Sequence, residues 1–233
     1  MNATIKSIAF LLLFYLSIPG VRAQNQQINH EFGEVRQLVD EVKFKQRSSN
    51  LPEDVQGSPY LSKEFIRGEV HLKSKSKYKD VPLRYNIYND DIEFEKDGQV
   101  FALGSKIHID QVVIGLDTFV YLTYLERETV KQRYFKSLVR GKASLLIKMN
   151  TIFKEKKAST GILLEQPAQF DRQQDVLFIK VDNKLAIRIP GKKKLSAIFE
   201  DKQELMAAFI KAEKLSTRNQ LDLVKLVNYY NSL

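Results

Sequence analysis

Residues Pro82–Gly104 read PLRYNIYNDDIEFEKDGQVFALG, and the fold turns on them. Two turn signals, Asn89-Asp90 and Asp97-Gly98, divide the stretch into three short runs of alternating character. Asp-Gly between alternating apolar residues is a strong hairpin signal, because a two-residue type I′ turn needs positive φ at both central positions. That turn sets Phe94 opposite Phe101 and Ile92 opposite Leu103. A two-residue turn at Asn89-Asp90 would set Ile87 opposite Ile92, Asn86 opposite Glu93, Tyr85 opposite Phe94 and Arg84 opposite Glu95. Side chains alternate along a strand, so Tyr85, Ile87, Ile92, Phe94, Phe101 and Leu103 share one buried face. Arg84, Glu93 and Glu95 share the other, which reads as exposed. The stretch is a three-stranded meander.

The pattern continues outward. Residues 106–109, 112–114, 118–125, 133–139, 144–149, 175–181 and 185–189 are rich in β-branched and aromatic residues and read as strands. Arg140-Gly141-Lys142 and Asp182-Asn183-Lys184 read as hairpin loops, the second pairing Val181 with Leu185 and Ile179 with Ile187. Residues 154–172 are less regular. The period then changes. Lys192–Phe199 reads as a short helix, and Asp201-Lys202-Gln203-Glu204 as a capping box before Leu205, Met206, Phe209 and Ile210. Thr217 with Gln220 would cap a last helix carrying Leu223, Leu226, Val227 and Tyr230 on one face. Strands followed by helices predict an α+β fold: a mainly antiparallel β-sheet, a meander that could close into a partly open barrel, then C-terminal helices.

The N-terminus has the charged, apolar, cleavable order of a secretory signal: Lys6, the run Ile8–Ile18, Pro19-Gly20 and Val21-Arg22-Ala23. The apolar run is shorter than the roughly 20 residues that span a bilayer. The expected organisation is a signal peptide over 1–23, cleaved near Ala23, a leader over 24–57, and one α+β domain over 58–233. That domain is strand-rich over 58–190 and helical over 191–233. In the leader, Phe32, Val35, Leu38, Val39 and Val42 follow helical spacing. The mature chain is expected to be exported, periplasmic or secreted, with no transmembrane segment.

Composition sets further bounds. With 43% hydrophobic and 28% charged residues the chain resembles an ordinary globular protein rather than a disordered one. It has no cysteine, which removes thiol nucleophiles, thiolate metal sites and disulfides. The formal charge is +9, from which Lys6 and Arg22 would leave with the signal. A basic surface favours anionic partners. For an exported chain these are anionic lipid or acidic glycan rather than nucleic acid.

The run Gly57-Ser58-Pro59-Tyr60-Leu61, then Glu64-Phe65 and Gly68, then Val81–Tyr88, then Glu93-Phe94, with the closing Lys225-Leu226-Val227 and Tyr229-Tyr230-Asn231, resembles a group of secreted bacterial envelope proteins of unknown function. The resemblance covers most of the mature chain. It implies a periplasmic or envelope location and brings no catalytic residues with it.

Candidate chemistry is thin. On a strand, His108 and Asp110 would point to one side, as a base and its orienting carboxylate do, but no nucleophile or metal ligand stands near them in sequence. Asn89, Asp91, Glu93, Glu95 and Asp97 do not fit a calcium loop, because the glycine and closing Glu are misplaced. There is no phosphate loop, dinucleotide fingerprint or nucleophile elbow, and no cofactor is called for. Glu126 with Glu128, or Asp171 with Asp175, could form a carboxylate pair in space. Lys73, Lys75, Lys77 and Lys79 alternate and would share a strand face. Lys154, Lys156 and Lys157 form a second group. Lys192, Lys193 and Lys194 stand at a helix start, where cations oppose the helix dipole, which makes them candidates for an anionic partner. The expected function is therefore a noncatalytic binding or assembly protein of the envelope, its partner an envelope protein or an anionic envelope component. The alternatives are a periplasmic hydrolase with a spatially assembled carboxylate pair, and a lipid carrier with an apolar cavity.

Overall fold

The structure, a computed structural model, describes residues 35–39, 41–47, 54–158 and 165–233. The expected signal peptide and the start of the leader, Phe32 included, lie outside the described residues. Residues 35–39 are helical (α1). Thirteen strands follow among the described residues: β1 (Phe44–Arg47), β2 (Ile66–Leu72), β3 (Lys77–Asn86), β4 (Asp91–Lys96), β5 (Gln99–Leu103), β6 (Ile109–Ile114), β7 (Asp117–Glu126), β8 (Thr129–Val139), β9 (Ala143–Lys148), β10 (Thr151–Lys154), β11 (Gln169–Arg172), β12 (Val176–Val181) and β13 (Ala186–Arg188). Helices α2 (Lys192–Leu195), α3 (Gln203–Ala212) and α4 (Gln220–Ser232) close the chain.

The Asp97-Gly98 turn forms as the sequence predicts, with φ of 53° and 71° and Phe94 paired with Phe101. The preceding turn is longer. Residues 87–90 all lie in it, so Asn86 pairs with Asp91, Tyr85 with Ile92 and Arg84 with Glu93. The shift is two residues, which keeps each side chain on its predicted face. Its cause is tertiary. The amides of Ile87 and Tyr88 donate to the carbonyl of Pro59, that of Leu61 to Tyr85, and Tyr60 bridges to Asn86. The end of β3 is thus paired with residues 59–61 and is unavailable to β4.

The second face of this hairpin is buried at Arg84 and Glu93, while Glu95 is exposed as read. Arg84 is 8% and Glu93 1% exposed, because residues 58–65 cover them. The Arg84 guanidinium lies between the rings of Tyr60 (3.8 Å) and Phe65 (4.3 Å). It pairs with Glu93 at 2.8 Å, and the second oxygen of Glu93 accepts from Asn86 at 2.9 Å. These residues assemble as a sealed polar knot.

The main sheet runs β1-β5-β4-β3-β2-β6-β7-β13-β12-β9-β8, and β8 pairs back onto β7. The last five strands are therefore a closed barrel with C-terminal helices packed outside it. An up-and-down barrel of five strands must close with one parallel pair, and here it is β7 with β13, Tyr124 beside Ala186. Strand β7 serves both halves. One edge pairs with β8 along its length, while the other meets β6 at residues 117–119 and β13 at 124–125.

Three cores follow. Val35, Leu38 and Val42 pack with Tyr85, Ile87, Ile92, Phe94 and Leu103 on the buried face of the meander. Val120, Tyr124, Phe135, Leu146, Phe178 and Ala186 fill the barrel. Outside it, Leu145 and Ile179 meet Phe199, Met206, Leu226 and Tyr230 of the helical region. Strand β9 is buried on both sides, which explains its unbroken run of Leu145, Leu146 and Ile147.

The helices form near their predicted positions, with different caps. Asp201 does not cap α3. Its carboxylate takes Lys142 at 2.6 Å and the Tyr230 hydroxyl at 2.9 Å, so it ties the helices to the β8–β9 loop. Asn219, not Thr217, caps α4, accepting from the amides of Leu221 and Asp222. The predicted face of α4, Leu223, Leu226, Val227 and Tyr230, is buried.

Candidate functional site at the barrel mouth

The barrel strands share a pattern along their inward faces. On β7 the inward positions run Val120, Leu122, Tyr124, Glu126. On β8, read toward the same end, they run Phe135, Arg133, Lys131, Thr129. On β9 and beyond they run Leu146, Lys148, Asn150, and on the approach to β12 Phe178, Val176, Gln174. Period-two alternation thus carries each strand from apolar residues in depth to polar or cationic ones at one rim. The depth is occupied by the buried side chains of Val120, Tyr124, Phe135, Leu146, Phe178 and Ala186. The rim is open.

That rim encloses a cavity of about 710 Å³, with Tyr124 and Val176 at its base. Four cations line it, Arg127, Lys131, Arg133 and Lys148, against one carboxylate, Glu126. Asn150, Gln173 and Gln174 supply amides. Lys148, like Arg133 (13%), is nearly buried, with a side chain 12% exposed. Its Nζ lies 5.3 Å over the Tyr124 ring and 5.6 Å over Phe178, and it donates to Glu126 Oε1. Lys131 holds Glu126 Oε2 at 3.0 Å. The hydrogen bond from Lys148, with that from Lys131, holds the Glu126 carboxyl well below its usual 4.5, at about 2. Arg133 reaches the other way, toward the meander, and pairs with Asp90 at 3.4 Å. Burial raises Asp90 above the usual carboxylate range, although Arg133 opposes this. Arg127 makes no ion pair among the described residues. It sits with Glu128 in the two-residue β7–β8 turn, both at positive φ (46° and 66°), a conformation unfavourable for side-chain-bearing residues.

The lysines singled out from sequence lie elsewhere. Lys73 and Lys75 are in the β2–β3 turn, Lys75 at φ 79°, so they do not share a strand face with Lys77 and Lys79. Lys77 pairs with Glu69 at 2.8 Å. Lys192, Lys193 and Lys194 form the exposed first turn of α2 as predicted, but that helix has four residues and faces no cavity among those described. Lys154 and Lys156 pair with Asp171 (2.6 Å) and Glu165 (2.5 Å). His108 ends a 3-10 turn rather than lying on a strand with Asp110, and Asp110 meets Arg140 at 3.8 Å. Glu126 is held by two lysines, Asp171 by Lys154 and Asp175 by Arg172. A general acid needs a raised pKa, and Glu126 moves the opposite way. Among the described residues no group of three or more His, Asp or Glu could hold a metal, and no helix is long and apolar enough to cross a membrane.

Sequence reasoning missed Lys131, Arg133 and Lys148. A signal was present: each stands two residues beyond an inward apolar residue or another cation, on the same strand face. Their convergence, however, depends on barrel closure. Comparison with protein-family models, curated proteins and solved structures finds no match, so the site is read from its own residues.

Proposed function

We propose that this chain is an exported, noncatalytic binding protein, and that its barrel mouth takes an anionic component of the cell envelope. The observation that carries this is the mouth itself: Arg127, Lys131 and Lys148 stand with one carboxylate, Glu126, above an apolar barrel interior, while Arg133 at the same rim is taken by Asp90. A concave site lined by one sign of charge over low-dielectric walls concentrates ligands of the opposite sign. The tripartite N-terminus supports export, and the formal charge of +9 supports an anionic partner. The low pKa of Glu126 argues against proton-transfer chemistry at this rim.

The test is a two-dimensional NMR titration of the chain with a heparin-derived disaccharide at low and high salt. Shifts should gather at residues 124–133 and 148–150, weaken as salt rises, and vanish in the double variant Lys131→Gln, Lys148→Gln. Shifts confined to other surfaces, or unchanged by the double variant, would overturn the reading.

A further inference from the structure

A second cavity, of about 280 Å³, adjoins the mouth. Gln174 and Val176, at the rim where β12 begins, line both. The second cavity brings in two more cations, Arg188 and Arg218. Both are exposed, and their side chains make no ion pair among the described residues. Its one carboxylate, Asp175, is already held by Arg172.

Arg188 is there for a reason of strand geometry. It lies two residues beyond Ala186, which points into the barrel, on the strand that runs parallel to β7. It is therefore the β13 counterpart of the rim residue Glu126. Arg218 comes from the segment between α3 and α4. The groove thus joins barrel and helical region, and three arginines that make no ion pair among the described residues line it: Arg127 in the mouth, Arg188 beside Glu126 on the neighbouring strand, and Arg218 from the helical side.

We infer that the ligand is an extended acidic glycan that spans both cavities, rather than a single small anion. This rests on the barrel mouth being the binding site. Cations in both cavities call for a ligand that carries more than one anionic group. The remaining lining selects among such ligands. Asn150, Gln173, Gln174 and Thr217 are hydroxyl-seeking groups, suited to a sugar chain. Among the described residues the only aromatic side chain lining either cavity is Tyr124, which is 3% exposed. Single-stranded nucleic acid is held by stacking its bases on exposed aromatic platforms, and the groove presents none.

The experiment measures affinity for heparin-derived di-, tetra- and hexasaccharides and for galacturonate oligomers of the same lengths, with a dT hexamer as competitor. One series carries sulfate esters and the other carboxylates alone, so together they identify the anion. Affinity should rise with length in at least one series. Arg188→Ala with Arg218→Ala should weaken hexasaccharide binding by about fivefold or more, as loss of two exposed ion pairs allows, and leave the disaccharide unchanged. Both arginines are exposed and unpaired, so the variant should fold, which its unfolding curve checks. If the disaccharide binds at the mouth but affinity is flat with length and the arginine variant is silent, the extended-chain inference fails and the mouth stands. If no oligomer of either series binds, both fail. A dT hexamer that outcompetes both glycans would overturn the glycan assignment.

Discussion

Two of the molecule's clusters of opposite charges, one at the meander and one at the barrel mouth, are built to different ends. At the meander, Arg84 has a partner for each donor group: Glu93 at 2.8 and 2.9 Å, the Lys63 carbonyl at 3.2 Å and the Tyr60 hydroxyl at 3.0 Å. Two rings and residues 58–65 seal it from water. At the barrel mouth the charges do not cancel, and side-chain exposure rises from Lys148 (12%) through Glu126 (29%) to Lys131 (49%). A buried charge is tolerated only when paired and hydrogen-bonded throughout, and such a knot specifies architecture. A half-open cluster with surplus donors is where a ligand can supply the missing charge.

The largest effect should come from breaking the sealed knot. Arg84→Ala should cost about 3–5 kcal/mol in denaturant unfolding, because it strands the Glu93 carboxylate in the interior. Arg84→Met with Glu93→Leu should cost clearly less than the sum of the single changes, since neither charge is left alone. Additive losses would show that the two residues stand independently.

A smaller effect is expected at the open cluster. Lys148→Met should raise the midpoint of Glu126, followed by its carboxyl carbon shift, from about 2 toward 4.5. A depressed carboxyl stabilises the fold above its unfolded pKa and loses that contribution as pH falls through the folded value. The wild-type chain should therefore shed this contribution between about 4.5 and 2, and the variant should show little of that dependence. A midpoint unmoved by Lys148→Met would mean that Lys131 alone holds the carboxylate.

The smallest effect concerns the seam between the two regions. Asp90 accepts from the Tyr85 hydroxyl (2.8 Å) and the Tyr134 amide (3.1 Å), and pairs with Arg133, joining the meander turn to β8. Beside it the Tyr134 hydroxyl is buried with no hydrogen-bond partner among the described residues. Tyr134→Phe should be neutral or stabilising by up to about 1 kcal/mol, since it removes an unsatisfied buried group. A marked loss of stability would reveal a partner for that hydroxyl.

How much of this was legible in sequence depends on the distance over which each feature is set. The Asp97-Gly98 register and the burial of Tyr85, Ile87, Ile92 and Phe94 came out as read, as did the pairing of Ile179 with Ile187. So did the buried stripe of α4. The Asn89-Asp90 register came out two residues off, because residues 59–61 claim the end of β3. Glu93, read as exposed, is buried by the same segment. Asp201, read as a helix cap, is drawn away by Lys142 and Tyr230. Each departure has one cause, a competitor from far along the chain for a group that local rules had already assigned.

By itself the sequence determined which residues of the meander share a strand face, where the Asp97-Gly98 turn falls, and that strands give way to helices. These are properties of a two- or 3.6-residue period and of φ at single positions, so a short window contains them. Only the tertiary structure decided that β8 and β13 both return to β7, that residues 58–65 cover Arg84 and Glu93 on the second face of the meander, and that Lys148 meets Glu126 from 22 residues away. Alternation says which way a side chain points but not what stands opposite. The candidate site exists because barrel closure brings five strand ends to one rim.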